Sequence, residues 1–343
     1  MKFDYIIGNP PYQISDGGAQ ASAKPVYNYF IETAKNLAPE NICFIVPSRW
    51  MTGGKGLDSF RDIMIHDKIM KILHDYADGK LLFNGVDIKG GVCYFLWNAN
   101  HNDKCKCYRH DIDGTYETLR FLCEDGDDIF IRDGRLINIK NKVQNLNEKS
   151  IMGIVSPRKP YGLSGDTMKD TAKYKLPPFS DTPIKDGYEI LGLGSGQKRI
   201  WKYIPKDYPL PKKEGIGKYK VFISEAYGCG NIGEVPSTPV LGTPVQICTE
   251  TFLQIGPFDT EIEAKNFLSY LKTKFFRALV SIKKQTQHTT QKVYKYVPIQ
   301  DFTNKSDIDW TKSIREIDQQ LYKKYGLSED EIKFIEEKVN EMD

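Results

Sequence analysis

Phe3-Asp4-Tyr5-Ile6-Ile7-Gly8-Asn9-Pro10-Pro11-Tyr12 decides how this 343-residue chain is read, because a short β-rich run stops at Gly8 and passes directly into two prolines. Proline lacks an N–H and fixes φ, so the strand cannot run on through Pro10. Working outward, Pro25 to Leu37 carries apolar residues at helical spacing: Val26, Tyr29, Phe30, Ala34 and Leu37. Ile42 to Val46 is a continuous apolar run of the kind buried on both faces of a parallel sheet, and Leu57 to Met70 returns to helical spacing. Ile72 to Tyr76 and Val92 to Trp97 read as two more strands, separated by Gly79, Gly85 and Gly90-Gly91. Strand, helix, strand, helix, strand, strand predicts an open α/β sheet with a hairpin at its edge.

The pattern then changes. Residues 101–150 read as a β-rich acidic extension, and Pro, Gly and charge from Val155 to Glu189 mark a domain boundary. Residues 151–300 form a mixed α/β region with strands at Tyr188 to Leu193, Tyr219 to Ser224 and Pro244 to Cys248, and a helix from Glu261 to Ile282. Residues 301–343 form a helical tail: Trp310 to Leu321 and Ser328 to Met342, with Gly326 as a C-cap and Ser328 with Glu331 as a capping box.

A composition of 40% hydrophobic and 27% charged residues is that of a soluble globular protein and excludes a disordered chain. The longest apolar runs last about half a dozen residues where a membrane span needs roughly 20. The start of the chain lacks the pattern of a secretory signal, so a cytoplasmic location without a membrane partner is expected. Seven cysteines without paired CxxC spacing suit free thiols, and no metal site is expected. The net charge of +3 is modest but segregated: Ala264 to Gln300 holds eight Lys or Arg and no acid. A second basic stretch, Lys198 to Lys220, holds eight more against Asp207 and Glu214. Segregation of this kind builds a positive face able to hold phosphates.

Asn9-Pro10-Pro11-Tyr12 carries the chemistry. Open α/β sheets bind ligands beyond the carboxyl ends of their strands, where this tetrapeptide falls. It suits methylation of a planar amine or amide, whose nitrogen lone pair is delocalised and poorly nucleophilic. The Asn9 side-chain oxygen and the Pro10 carbonyl can accept the two N–H bonds, drawing the nitrogen toward sp³ geometry. The fixed φ of proline holds that carbonyl in place beforehand, and Tyr12 offers a face for a flat base.

With these residues the chain resembles the adenine-N6 DNA methyltransferases, and more narrowly the methylase portion of type II restriction-modification enzymes. The resemblance runs through Val46-Pro47-Ser48-Arg49-Trp50, Gly53-Gly54-Lys55-Gly56-Leu57 and the hairpin Val86 to Val92, and reaches Ala264 to Pro298, which looks like a target-recognition domain. It implies a partial Rossmann-like methyltransferase sheet in residues 1–100, followed by a mixed α/β target-recognition domain in 151–300. It also implies that Asn9, Pro10, Pro11 and Tyr12 hold a flipped adenine of double-stranded DNA, that Lys89 and Gly90 line the base pocket, and that S-adenosyl-L-methionine is the methyl donor.

In that family the donor site precedes the Asn-Pro-Pro-Tyr motif, whereas eight residues precede it here. The chain is therefore expected to be a C-terminal portion with an incomplete cofactor site, as a fragment or a split subunit, or else a permuted enzyme. Gly192-Leu193-Gly194-Ser195-Gly196 is the candidate for a displaced cofactor turn, but the residues after it continue as a strand where a helix is needed. Without its neighbour, the Phe3 to Ile7 strand is expected to leave an apolar edge open to a missing N-terminal segment or to self-association. Lys283, Lys284, Gln285, Gln287, His288 and Lys292 combine phosphate-binding charge with groups that read base edges. Arg49 and Lys55 are candidates for contact with DNA or cofactor. Two other readings remain: a DNA-specificity module without activity, and a methyltransferase acting on a protein glutamine amide. The long basic region after Tyr12 favours DNA over the latter.

Overall fold

A computed structural model of the chain describes residues 3–14, 24–51, 56–83, 85, 88, 90–123, 127, 129–228, 230–284 and 286–342. The fold is mixed α/β with seven helices among these residues, divided into two compact units, Met1–Ile137 and Asn138–Asp343. No helix among them is long and apolar enough to cross a membrane.

The first unit is built on a six-stranded mixed sheet. Its strands are β1 (Tyr5–Gly8), β4 (Asn41–Pro47), β5 (Met70–Tyr76), β6 (Val92–Asn98), β7 (Cys105–Asp111) and β8 (Gly114–Arg120), in the spatial order β1-β4-β6-β5-β7-β8. A small ribbon, β2 (Gln13–Ile14) with β3 (Lys24–Pro25), follows the double proline. β1 pairs parallel with β4, and β5 parallel with β7, while β6 runs antiparallel to both its neighbours. The predicted hairpin of β5 and β6 forms but is not at the edge: it lies inside the sheet, which continues through β7 and β8. These last two strands come from the stretch read as an acidic extension. Alternation explains them, since Cys105 and Cys107 of β7 point inward while Lys106 stays exposed.

Helices α1 (Tyr27–Asn36) and α2 (Asp58–His66) supply Tyr27, Ile31, Phe60 and Met64 to a core shared with Ile42, Phe44 and Phe95 of the strands. The opposite pleat holds half-buried rings: His74 stacks between Tyr94 and Tyr108, with centroids 4.4 and 4.3 Å away. At the open edge, Tyr5 and Ile7 of β1 are 67% and 76% exposed, although Ile6 between them packs on the core.

α3 (Arg135–Asn145) crosses the division of the chain. The second unit has two three-stranded sheets. One is β10-β9-β13, from β9 (Tyr188–Leu193), β10 (Arg199–Ile204) and β13 (Gln246–Cys248). The other is β12-β11-β14, from β11 (Tyr219–Ser224), β12 (Val240–Gly242) and β14 (Phe252–Phe258). The single helix expected from Glu261 to Ile282 is two, α4 (Glu261–Lys272) and α5 (Lys274–Lys283). Thr273 breaks it, because its side chain accepts the Phe276 N–H at 3.1 Å and so starts a new helix. α6 (Ile314–Lys324) and α7 (Glu329–Lys338) both begin with a capping box, the second being the predicted Ser328 and Glu331 pair. They belong to the same compact unit as residues 151–300.

Candidate active site

β1 and β4 are parallel, so the ends of both strands, Gly8 and Pro47, face the same way. β6 runs against β4 and pairs Val92 with Pro47, which brings Gly90-Gly91 to that same end. β5 runs against β6 and ends there too, with Tyr76 opposite Val92. The topology therefore collects the Asn9-Pro10-Pro11-Tyr12 turn, Ser48, the glycine turn and the end of β5 along one rim. That rim is the carboxyl end of the parallel strands, the place where open α/β sheets bind ligands.

At this rim Asn9 and Pro11 are exposed, Pro10 is buried and Tyr12 is half-buried. The Tyr12 carbonyl accepts the Val26 N–H at 3.2 Å, tying the turn to the start of α1. Burial, and then the neighbouring Cys93, push the Tyr12 hydroxyl above its ordinary pKa, and its oxygen has no hydrogen-bond partner. Cys93 itself is pushed up to about 12 by burial and by Asp75, and its sulfur accepts the Trp50 indole N–H at 3.3 Å. Gly91 adopts φ +84°, and a Cβ there would lie 2.1 Å from the Tyr76 carbonyl oxygen, so no other residue fits.

Beneath the rim is a polar network that the sequence reading did not single out. Asp75, 3% exposed, accepts from Ser48 Oγ at 2.7 Å and from both Arg132 Nη2 at 2.5 Å and Nε at 2.8 Å. Arg109 adds a longer contact at 3.5 Å. The remaining Arg132 nitrogen, Nη1, donates to the Gly90 carbonyl at 2.9 Å, and the Ser48 N–H donates to the Gly91 carbonyl at 2.9 Å. Burial opposes the charge of Asp75, yet Arg132, with Arg109 and Ser48, outweighs it and holds the carboxyl below its ordinary pKa. The signal for Asp75 was available: it is an acid at an inward position of an otherwise apolar alternation, and such a group needs a buried partner.

The other site residues fall as follows. Arg49 is half-buried in the short 3₁₀ turn Ser48–Met51 after β4. Lys55, Lys89 and Gln285 lie outside the described residues. In the second unit Thr286, Gln287 and His288 are exposed, on a segment pinned beside β11 by Tyr227 N–H to Gln287 O at 2.8 Å and Thr289 N–H to Glu225 O at 2.7 Å. His288 Nδ1 sits 3.1 Å from both Glu225 carboxylate oxygens. Lys292 is exposed, and Lys283 is half-buried with its Nζ 5.9 Å from the Tyr296 ring centre. Lys284 does not join them. It is 2% exposed, ion-paired with Glu234 and 4.3 Å over the Tyr227 ring, because it is the C-cap of the buried helix α5 and its N–H is tied back to the Val280 carbonyl. Arg277 and Lys220 of the basic stretches are likewise buried, so part of that charge is structural. Gly194 to Gln197 turns β9 into the antiparallel β10 and opens no α-helix.

Residues 1–83 match the family described as Eco57I restriction-modification methylase. A Mycoplasma pneumoniae protein described as an uncharacterized adenine-specific methylase is 38% identical over 107 residues, 30% of this chain and 25% of that protein. Among solved structures, the type IIL restriction-modification enzyme MmeI in complex with DNA aligns at TM-score 0.47 and 10% identity, over 97% of this chain and 56% of that one. The type IIG restriction endonuclease BpuSI aligns at TM-score 0.37 and 11% identity, over 93% and 48%. The chain thus spans about a quarter of its curated relative and about half of each of these two structures.

Proposed function

We propose that the chain, whose residues 1–83 match the Eco57I restriction-modification methylase family, serves adenine-N6 methylation of double-stranded DNA, holding the target base while a second region reads the sequence around it. The observation that carries this reading is the Asn9-Pro10-Pro11-Tyr12 turn at the carboxyl end of β1, on one rim with the Gly90-Gly91 turn. A base flipped out of the duplex is planar, and its amine needs two acceptors. Exposed Asn9 offers its amide oxygen, buried Pro10 a carbonyl with little freedom to move, and Tyr12 a ring beside them. Gly90 is the opposite wall of the pocket, and Lys89 is a further base-pocket residue by the sequence resemblance alone. In the second unit Gln287 and His288 are the base-reading residues and Lys283 and Lys292 the phosphate contacts; Arg49 contacts DNA beside the rim, and Lys55 is a DNA contact by its sequence position alone.

The family uses S-adenosyl-L-methionine, whose sulfonium supplies an electrophilic methyl group. The Gly192 to Gly196 run does not fit a donor site, because it is a hairpin turn where a cofactor turn should open a helix. What the first unit does present is the open edge of β1, with unpaired backbone groups and exposed Tyr5 and Ile7. A Rossmann-like methyltransferase sheet would be completed there, by a further methyltransferase segment or by a second copy of the chain.

The test is transfer of labelled methyl from S-adenosylmethionine to unmethylated duplex plasmid DNA, with N6-methyladenine identified by mass spectrometry. Asn9→Ala is expected to lower transfer by roughly 10²–10³-fold, as for removal of a preorganised polar contact, with DNA affinity within a few-fold. Methyl found on protein glutamine, or full activity in Asn9→Ala, would sink the proposal. Run over a range of chain concentrations, the same assay reports on β1. Specific activity that rises with concentration, and loses that rise in Ile7→Lys, supports edge pairing between copies; activity restored only by an added methyltransferase segment supports the other completion.

A further inference from the structure

The Gly90-Gly91 turn is held from two sides by one buried network. Ser48, the first residue after β4, gives its N–H to the Gly91 carbonyl and its hydroxyl to Asp75. Asp75 in turn takes two nitrogens of the Arg132 guanidinium, leaving the third free to reach the Gly90 carbonyl. The Gly91 N–H closes the turn on Ile88 O at 2.9 Å. An ion pair that only anchored residues 129–135 to the sheet would need no more than the two bonds to Asp75. The third bond reaches a backbone carbonyl on the rim where Asn9 to Tyr12 also lie, and a planar guanidinium fork can satisfy both at once in one fixed geometry.

We propose that Arg132 and Asp75 are positioning residues of the base pocket, setting the place of the Gly90-Gly91 turn relative to the Asn9-Pro10-Pro11-Tyr12 segment and acting on the base only through that turn. The inference rests on the reading that this rim holds a flipped base. Ser48 links the two sides: it follows β4, which pairs directly with the strand leading into Asn9, and it bonds both the turn and Asp75. A displacement of the turn therefore changes the width of the pocket without touching either acceptor of the target amine. Misplacement of a bound group by about 1 Å costs up to about 10²-fold in rate even when the groups that do the chemistry are intact.

The experiment uses the full chain with Arg132→Lys, which keeps the charge but loses the fork. Two readouts are taken: backbone amide exchange at Gly90, Gly91 and Val92, and methyl transfer to plasmid DNA resolved into kcat and KM. Faster exchange at the turn by about tenfold, with α1 and β4 unchanged, is expected. So is a kcat lower by roughly 10–100-fold with KM for DNA within about threefold. Unchanged exchange at the turn, or an unchanged kcat, overturns the proposal. Should Arg132→Lys fail to fold, the double variant Arg132→Met/Asp75→Leu removes both buried charges together and carries the same readouts. The exchange measurement needs no turnover, so it tests the brace even where the chain alone transfers no methyl group and an added methyltransferase segment is needed for the kinetic readout.

Discussion

Each unit buries a carboxylate–cation pair beside a glycine turn, but the two pairs hold their turns from opposite ends. In the first unit the cation reaches the backbone: Arg132 grips Asp75 with two nitrogens and the Gly90 carbonyl with the third. In the second the carboxylate does so: Glu234 accepts the N–H groups of Gly230 at 3.0 Å and Asn231 at 3.0 Å, while Lys284 neutralises it. A guanidinium can serve an acid and a carbonyl together because its donors diverge in a plane, whereas an ammonium acts as a point charge and leaves the turn to its partner. The difference teaches which member of each pair is indispensable. Asp75 is what keeps Arg132 from being an uncompensated buried cation, whereas Glu234 without Lys284 still has two backbone donors.

Breaking both pairs gives the largest expected effects. Loss of one partner of a buried pair costs about 3–5 kcal/mol. Asp75→Ala should fall near the upper end of that range and Lys284→Met near the lower. Urea unfolding of the full chain, with amide exchange assigning each loss to its own unit, measures the two. A larger loss for Lys284→Met would overturn the asymmetry.

Lys283 and Lys292 should behave in the opposite manner to Lys284. Lys292 is exposed and Lys283 half-buried, and both flank the pinned segment carrying Gln287 and His288. If they meet phosphates, replacing both with Ala lowers the slope of log affinity against log salt by about 2, with binding to duplex DNA weaker and thermal stability little changed. A salt slope equal to that of the wild type would remove them from the DNA-facing surface. Lys284→Met, by contrast, is expected to change stability and leave the slope alone.

That contrast shows where the sequence could be read and where it could not. The short apolar or β-rich runs at Tyr5 to Gly8, Asn41 to Pro47 and Val92 to Asn98, with prolines and glycines as stops, are enough to find the strands and to put Asn9 at a strand end. Strand order was not legible. Cys105 to Asp111 lies in the stretch read as β-rich, and its parallel pairing with β5, which puts the hairpin inside the sheet, joins residues remote in sequence. The caps at Ser313 and Ser328 depend on neighbours three residues away, and the second was found from the sequence. Thr273 was missed because a threonine within a run of helical spacing is only revealed as a cap by the break it causes. Charge counting fails at Lys284 and Arg277 for a related reason: α5 is buried on every side from 275 to 280, and its C-cap Lys284 is buried with it. Asp75 and Arg132 lie far apart in sequence, and nothing local to either one names the other.

The smallest effect separates the units by the sign of their response to acid. His74, on β5, is stacked against Tyr94 of β6 and Tyr108 of β7, and its Nδ1 is 2.9 Å from His110 Nε2. Burial, helped by the charge of His110, lowers it to about 4. His110 is lowered too, by burial, against the pull of Asp75 and Asp111. The unfolded chain binds these protons first, at about 6.5, so their contribution to stability is intact above that pH and is lost as the pH falls toward about 4. In the second unit Asp318 accepts the N–H groups of Lys274 and Phe275, both at 2.9 Å, at the start of α5. Burial raises its pKa to about 6 even so, against those two bonds and Arg277 and in concert with Glu336. Here the folded state binds the proton more tightly, so stability present below about 4 declines as the pH rises through about 6. Between pH 6.5 and 4.5, acidification should therefore weaken the first unit by about 1 kcal/mol, discounted because the His74 ring is partly solvated, and strengthen the second. Unit-resolved amide exchange at the two pH values, corrected for intrinsic rates, reads both signs in one experiment. His74→Phe keeps the stack and should flatten the first response alone, and Asp318→Asn the second; a slope unaltered by His74→Phe would assign the acid sensitivity to His110 or to another group.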